Sequence, residues 1–576
     1  MFNLNSKKVW QYFCVLGLLC TTHTYALDSA KVQQKPNILW LVLEDMSPIL
    51  PAYGDHTIQT PNISLLAEQG VKYTNVYSTS GVCAPSRNGL VLGMYPSAVG
   101  GNHMRTTSYT QVTGLPKYAA VPPPEAKMLS QYMRQQGYYT TNNYKTDYQF
   151  EAPQNAWDES GVYAHWRNRP ADKPFFAVVN FTTTHESGLF EPYGFRHIES
   201  RHYFSDDPAR IAKLSTSPNT KSSEADTPVH VPKDTNFSIP PYLPDTPLVR
   251  RDLWKMYNNL AEADRQIGAV LEQLKQDGLY DNTIIFFYSD HGGPLPRQKR
   301  LIYDSGLKVP LIIRYPHAAS AGKVDDQLVS FVDFAPTTLK LTGMDIPKHM
   351  QGQDFIQNGM QQREYIHAAA DRFDGFTDVI RAVKNKRFKY IRNYRPEQAY
   401  YLPVEYREKI PTMQELLRLR NEEKLNAYQA QWFRGAKNVE ELFDTVADPH
   451  ELNNLADDPA YATELKTLSQ EMERWLTEIG DKPNLPEKQL ITKLWNGAQA
   501  QPKTADPVIK IKQGVANISS VTPGASISYK LIVNNYEPLA WEIYQKPISV
   551  PQGTKLKVVA QRIGYLESAT KHVIAN

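Results

Sequence analysis

The chain has 576 residues, with 63 Lys+Arg against 60 Asp+Glu, a formal net charge of +3, 41% hydrophobic and 11% aromatic residues. This composition excludes disorder, collagen and long coiled coil. A net charge this small gives no polyanion-binding stripe and argues against nucleic acid as a partner, while the length predicts two or three packed units.

At the N-terminus, Lys7 and Lys8 precede an apolar run over 9–20 and then Thr24-Tyr25-Ala26. This order predicts a secretory signal over 1–26 and an exported protein, periplasmic or secreted. The run is too short for a stable membrane span. Removing it takes away Cys14 and Cys20 and leaves Cys83 as the single thiol, so no internal disulfide framework is expected.

From 36 to 347, apolar strands alternate with helical segments, the pattern of a mainly parallel sheet flanked by helices. Near-continuous apolar runs at 37–43, 175–181 and 283–288 predict strands buried on both faces. Helices over 62–69, 125–136 and 249–276 each stop at a glycine, Gly70, Gly137 and Gly278, where left-handed C-caps are expected. The stretch 186–246, rich in Pro, Ser, Asp and Thr, breaks the pattern and predicts a functional lid or a disordered insert. Past about 371, short basic and aromatic strands such as 388–391 and an amphipathic helix over 461–479 predict a smaller α+β unit. A linker over 499–507 leads to alternating strands, including 526–533 and 555–560, separated by Pro/Gly turns, which predict a β-sandwich. The expected organisation is therefore a signal over 1–26, an α/β domain over 27–370, an α+β subdomain over 371–498 and an accessory β-sandwich over 507–576.

Glu44-Asp45 directly follows the first apolar strand, and Asp290-His291 follows the third. Sites in open α/β sheets form beyond the carboxyl ends of strands, so the two pairs are expected to converge. Three carboxylates and an imidazole suit a divalent cation, with hard oxygens favouring Ca²⁺ or Mg²⁺; the bland alternative is helix caps and solvated strand ends. Cys83, in Ser80-Gly81-Val82-Cys83-Ala84-Pro85-Ser86-Arg87, is either a reactive thiol beside an arginine or a small core residue.

Cys83-Ala84-Pro85-Ser86-Arg87 resembles the C-x-P-S-R signature of the formylglycine-dependent, arylsulfatase-type sulfatases, and its surroundings agree. The opening strand with its acidic pair, Thr60-Pro61-Asn62, Gly93-Met94-Tyr95-Pro96, Asp290-His291-Gly292, Lys299 four residues before Tyr303, and Leu442-Phe443-Asp444 with Asp448-Pro449 are similar to the family's markers over about 36–479. The resemblance implies an alkaline-phosphatase-like α/β fold. It implies formylglycine made from Cys83 by a maturation enzyme, Ca²⁺ held by Glu44, Asp45, Asp290 and His291, and Arg87 beside the nucleophile. Lys145 and Lys299 would clamp the sulfate, and His185 would bind it or protonate the leaving alcohol. Ser86, His103, Arg105 and Asp147 are expected around the substrate. Two departures stand out: Glu44 replaces the usual first aspartate, and Lys145-Thr146-Asp147 replaces Lys-x-His, so Asp147 or His103 becomes the candidate base.

Export, the long loop and the appended module favour a sulfated carbohydrate polymer or its oligomers, such as an algal galactan or glycosaminoglycan. Residues 518–568 resemble the β-sandwich of chitobiase-like glycosidases, as a sugar binder or a spacer. The competing readings are a sulfamidase acting on N-sulfoglucosamine, a phosphodiesterase or phosphonate hydrolase of the same superfamily, and a noncatalytic protein that binds sulfated glycans.

Overall fold

A computed structural model describes residues 35–199, 227–356 and 361–575. The expected signal over 1–26, with Cys14 and Cys20, lies outside the described residues, as does part of the 186–246 stretch.

The main sheet has eight strands: β1 (Asn37–Leu43), β2 (Val71–Tyr77), β3 (Tyr139–Asn143), β4 (Glu159–Ser160), β5 (Phe175–Phe181), β6 (Thr283–Ser289), β7 (Lys308–Arg314) and β8 (Lys323–Ser330). Their order is β4-β3-β5-β1-β6-β7-β2-β8. Every pairing is parallel except those of β7, which runs against both β6 and β2. The apolar runs form strands because alternate side chains bury on opposite faces. Leu39, Leu41 and Leu43 of β1 enter one core with the helix Pro247–Gln276, while Ile38, Trp40 and Val42 enter another with the helices Cys83–Leu92, Leu129–Gln135 and Phe334–Leu341.

Two of the three helix-stopping glycines adopt the expected left-handed conformation, Gly137 at φ 85° and Gly278 at φ 68°. Gly70 is extended, at φ −128°. Its glycine is required by a close approach instead, since a Cβ there would stand 2.6 Å from the Ile313 carbonyl oxygen of β7. The helix expected over 125–136 starts later, at Leu129, where the Met128 amide donates to Gln131 Oε1 at 3.0 Å. Within 186–246, Val231, Phe237, Tyr242 and Leu243 are buried in the main core, so this part is packed rather than a lid.

A second, antiparallel sheet joins Ile366–Ala370, Ile380–Lys384, Phe388–Asn393 and Glu440–Asp444. Its first strand begins five residues ahead of the boundary read at 371. The helix Ala462–Ile479 covers it through Leu468, Met472, Trp475 and Leu476. The C-terminal module contains two antiparallel sheets, one around Val515–Ser519 and one around Ser526–Ile532 and Lys555–Gln561, closed over a small core of Ala516, Ile518, Val550, Leu556 and Val558. No helix among the described residues is long and apolar enough to cross a membrane.

Candidate active site

Strand register brings the site together. Leu43 of β1 pairs with Ser289 of β6, which sets Glu44-Asp45 beside Asp290-His291. On the other side Leu43 pairs with Phe181 of β5, two residues before Thr183-Thr184-His185. Asn143 of β3 pairs with Val179, so Lys145 leaves the sheet at the same end. Cys83 opens the buried helix Cys83–Leu92, reached from β2 through 78–82. A helix N-terminus there turns unpaired N–H groups and positive potential toward the cluster.

Ligand atoms of Asp45, Cys83, Asp290 and His291 all lie within 4.8 Å of one another, and all four residues are buried. Cys83 Sγ is 3.4 Å from His291 Nε2 and 3.9 Å from Asp45 Oδ1. His291 Nδ1 is 3.0 Å from the Gly292 carbonyl oxygen, an acceptor that fixes the proton on Nδ1 and turns Nε2 to the cluster. Nε2 stands 2.9 Å from Asp45 Oδ1 and 3.7 Å from Asp290 Oδ1. Burial opposes charging this ring, yet Asp290 and Asp45 push it up to about 10. A proton on Nε2 therefore occupies the place where a cation could bind, and two carboxylates with one imidazole are a fitting donor set for a divalent ion.

Cations surround the carboxylates. Lys299 Nζ donates to Asp45 Oδ2 at 2.6 Å and lies 3.3 Å from Glu186 Oε1. Burial raises the Asp45 carboxyl, but Lys299, His185 and His291 outweigh it and hold Asp45 well below the usual carboxylate range. Glu44 is turned the other way: Lys145 Nζ is 2.9 Å from its Oε1, and Arg87 Nη2 is 3.3 Å from the same oxygen. It lies outside the group of four ligand atoms, and burial raises its carboxyl despite the two cations. Arg87 also donates to Asp290 Oδ2 at 3.1 Å and Asn180 Oδ1 at 2.7 Å.

His185 is nine-tenths buried. The Ser187 amide donates to its Nδ1 at 3.3 Å, which leaves the proton of the neutral ring on Nε2. Burial, with Lys299 beside it, holds this imidazole well below its ordinary range, so the neutral form prevails. Asp147, at φ 48°, lies 3.4 Å from Lys145 Nζ and stays ionised through Lys145 and Arg87 even though burial raises it.

The remaining expected residues divide. Arg105 and Asp147 line a cavity next to Ala84. Ser86 is wholly buried and donates its hydroxyl to the Asp290 carbonyl, which pins the Cys83 helix to the Asp290-His291 segment rather than presenting a group to a substrate. His103 lines a different cavity, with Asp371, Arg381 and Glu487. Its Nδ1 accepts from the Arg372 amide at 3.2 Å, and Arg372 in turn pairs with Glu487 at 2.8 Å. Sequence reasoning passed over Glu186, Arg300 and Asn180. The Glu186 amide donates to Asp45 Oδ2 at 2.7 Å, and its carboxylate takes both Nη groups of Arg300 at 2.8 and 2.9 Å. The available signal was adjacency: Glu186 follows His185 and Arg300 follows Lys299.

Comparison with known proteins agrees with this geometry. The sulfatase family matches residues 36–344, and the family described as N-sulphoglucosamine sulphohydrolase, C-terminal, matches 297–431. An ulvan-active sulfatase of Formosa agariphila is 59% identical over 542 residues, 93% of this chain and 91% of that one. Human N-sulphoglucosamine sulphohydrolase is 24% identical over 482 residues, 77% of this chain and 90% of its own. Among solved structures, a protein in complex with its substrate D-glucosamine-2-N,6-O-disulfate superposes with a TM-score of 0.53 at 19% identity, covering 79% of this chain and all of that one. A 2-O GAG sulfatase superposes at 0.52 and 18% identity, covering 78% and 93%. The family matches end at residue 431 and so carry nothing on the chitobiase-like resemblance of the C-terminal module. With more than half its length matched and a buried cysteine, carboxylate and imidazole cluster at the sheet's carboxyl end, the chain belongs to the sulfatase family and is a sulfate-ester hydrolase.

Proposed function

We propose that this protein is an exported, Ca²⁺-dependent sulfatase that removes sulfate esters from a sulfated polysaccharide of the ulvan class or its oligosaccharides, with its nucleophile made from Cys83. The observation that carries the reading is the position of Cys83, at the head of a buried helix and 3.4 Å from His291, within a ring of carboxylates and lysines. The 59% identity to an ulvan-active sulfatase supports the substrate class. Asp45, Asp290 and His291 would hold the cation, while Glu44 next to them holds Lys145 and Arg87. When present, formylglycine at Cys83 supplies an oxygen nucleophile after hydration, and the cation supplies Lewis-acid charge.

The chain's own groups do the rest. Lys145, Lys299 and Arg87 are aimed where sulfate oxygens gather negative charge, and their fixed placement in a dry site avoids reorganisation during reaction. Neutral His185 offers Nε2–H to the sulfate or to the leaving oxygen, and the incoming anion offsets Lys299 and favours the protonated ring needed to donate a proton. Asp147, ionised and held by Lys145, is the candidate base there. Because Cys83 is only 2% exposed, a maturation enzyme reading this segment must act before the fold closes.

Peptide mass spectrometry of the Cys83 segment, from protein made in its native host, tests the reading together with desulfation of ulvan fragments. An aldehyde or its hydrate and release of sulfate are expected. An unmodified thiol in protein that binds sulfated glycans without turnover would establish the noncatalytic alternative. The match to the N-sulphoglucosamine sulphohydrolase C-terminal family favours a second reading, N-sulfate cleavage. Faster release from N-sulfoglucosamine than from O-sulfated fragments would select it.

A further inference from the structure

A cavity of about 360 Å³ lies beside the Cys83 helix. Ala84, Arg105 and Asp147 line it together with Gln501, Tyr565 and Leu566. The first set belongs to the sulfatase core and the second to the segment that leads into and forms the C-terminal module.

This wall is held firmly. Ile563 is 4% exposed and buried in the core of the main sheet, although it belongs to the C-terminal module. Gly564 follows it at φ 87°, and a Cβ there would lie 2.4 Å from the Ala120 carbonyl oxygen, so the module's backbone lies directly on the catalytic unit. Gln501 Nε2 donates to the Gly564 carbonyl at 3.0 Å, and the Leu566 amide donates to the Pro502 carbonyl at 2.8 Å, so the expected linker is pinned to the same loop. Gln561 Nε2 donates to the Glu151 carbonyl at 3.1 Å, Gln131 Nε2 to Ser526 Oγ at 2.9 Å and Arg134 to the Trp541 carbonyl at 2.8 Å.

The chemistry at this cavity suits a charged sugar chain. The Arg562 guanidinium lies 4.5 Å from the centre of the Tyr565 ring and donates to its hydroxyl at 3.2 Å, which fixes the ring before any ligand arrives. A fixed aromatic ring offers an apolar face to a sugar at little entropic cost. In the same lining the Arg105 side chain is 42% exposed, with its Nε 3.8 Å from Asp374, so its charge remains open to an anionic group. We propose that the C-terminal module builds part of the wall of the substrate cleft, with Tyr565 stacking on the sugar next to the sulfated one and Arg105 meeting a sulfate or carboxylate on that neighbour. The module is thus a specificity element of the active site rather than a spacer. The inference rests on the polysaccharide reading above.

The test compares kcat/KM of the full-length matured enzyme on sulfated ulvan oligosaccharides with that on 4-nitrophenyl sulfate, which has no neighbouring sugar. Tyr565→Ala should lower the oligosaccharide value about tenfold more than the aryl value, mainly through a higher KM, because the lost contact binds ground and transition states alike. Tyr565→Leu keeps apolar bulk against Arg562 and should shift in the same direction. Leu539→Ser, in the same module and 94% exposed, should leave both values unchanged. Equal losses on the two substrates, or no loss on either, would overturn the inference while the polysaccharide reading stands. Wild-type enzyme that hydrolyses 4-nitrophenyl sulfate but no ulvan fragment would remove that reading and this inference with it.

Discussion

At the scale of single residues, Asp45 shows how tightly the site is balanced. It is fully buried at φ 52°, and its two oxygens take Lys299, the Glu186 amide and His291. Lys299→Ala leaves this carboxylate and Glu186 short of a partner and removes one cation from the sulfate pocket. Turnover of matured enzyme should fall by about 10²–10³, as for loss of one fixed charge-stabilising group. Breaking a buried pair should also cost about 3 kcal/mol of stability. Steady-state kinetics alongside urea unfolding measure the two separately, and wild-type rates in a folded variant would remove Lys299 from the chemistry. The residues of this cluster were legible because they sit at strand ends or inside a contiguous signature. Glu186 and Arg300 were not, because the sequence shows that charges exist but not which buried charges meet. Glu44 was legible as a member of the acidic pair, but its extra methylene carries the carboxylate to Arg87 and Lys145, a direction that spacing cannot reveal.

At the scale of elements, the site depends on two loops pressed together. The Gly81 carbonyl accepts from the Arg300 amide at 2.7 Å, and a Cβ on Gly81 would stand 2.4 Å from the Leu301 carbonyl oxygen. A Cβ on Gly306 would also stand 2.4 Å from that carbonyl oxygen. The loop carrying Lys299 and Arg300 is thus clamped between the approach to Cys83 and the turn before β7. Gly81→Ala should push that loop away, lowering kcat about 10²-fold, since misplacement by an ångström suffices for such a loss. A variant with unchanged kinetics would show that the clamp has slack. Farther away, Asp252 on the long helix Pro247–Gln276 accepts from the Thr412 amide and hydroxyl at 2.7 and 2.8 Å, capping the helix Pro411–Asn421. Burial raises its carboxyl to about 6 against those hydrogen bonds. A folded-state value above the unfolded one means that this group's contribution is fully present below about pH 4 and is lost as pH rises through about 6. Asp252→Asn should therefore gain about 1–2 kcal/mol relative to wild type on going from pH 4.5 to pH 8, read by denaturant unfolding at both values. An equal difference at the two pH values would show that the carboxyl titrates normally.

At the scale of the whole molecule, the C-terminal module looks separate in sequence, with its own alternating strands after a polar linker, and truncation would be expected to spare the catalytic unit. The fold argues otherwise. Ile563 reaches into the main core, Lys503 of the supposed linker bridges to Leu566, and Gly524 lies so close to Pro124 that a Cβ would come within 1.9 Å of its carbonyl oxygen. Alternation and turn residues report how a module folds on itself, but a single apolar side chain crossing into a neighbour has no periodicity to betray it. Contacts of this kind couple the unfolding of two units, because opening one leaves a cavity and unpaired polar groups in the other. Ile563→Ala should cost about 2–4 kcal/mol, and calorimetry should show it as a downward shift of one shared transition. Should the variant instead split the trace, with the module melting early and the main transition staying in place, the module would be an independent domain that merely touches the sulfatase core, and its wall of the cleft would have to form by docking at each encounter with substrate.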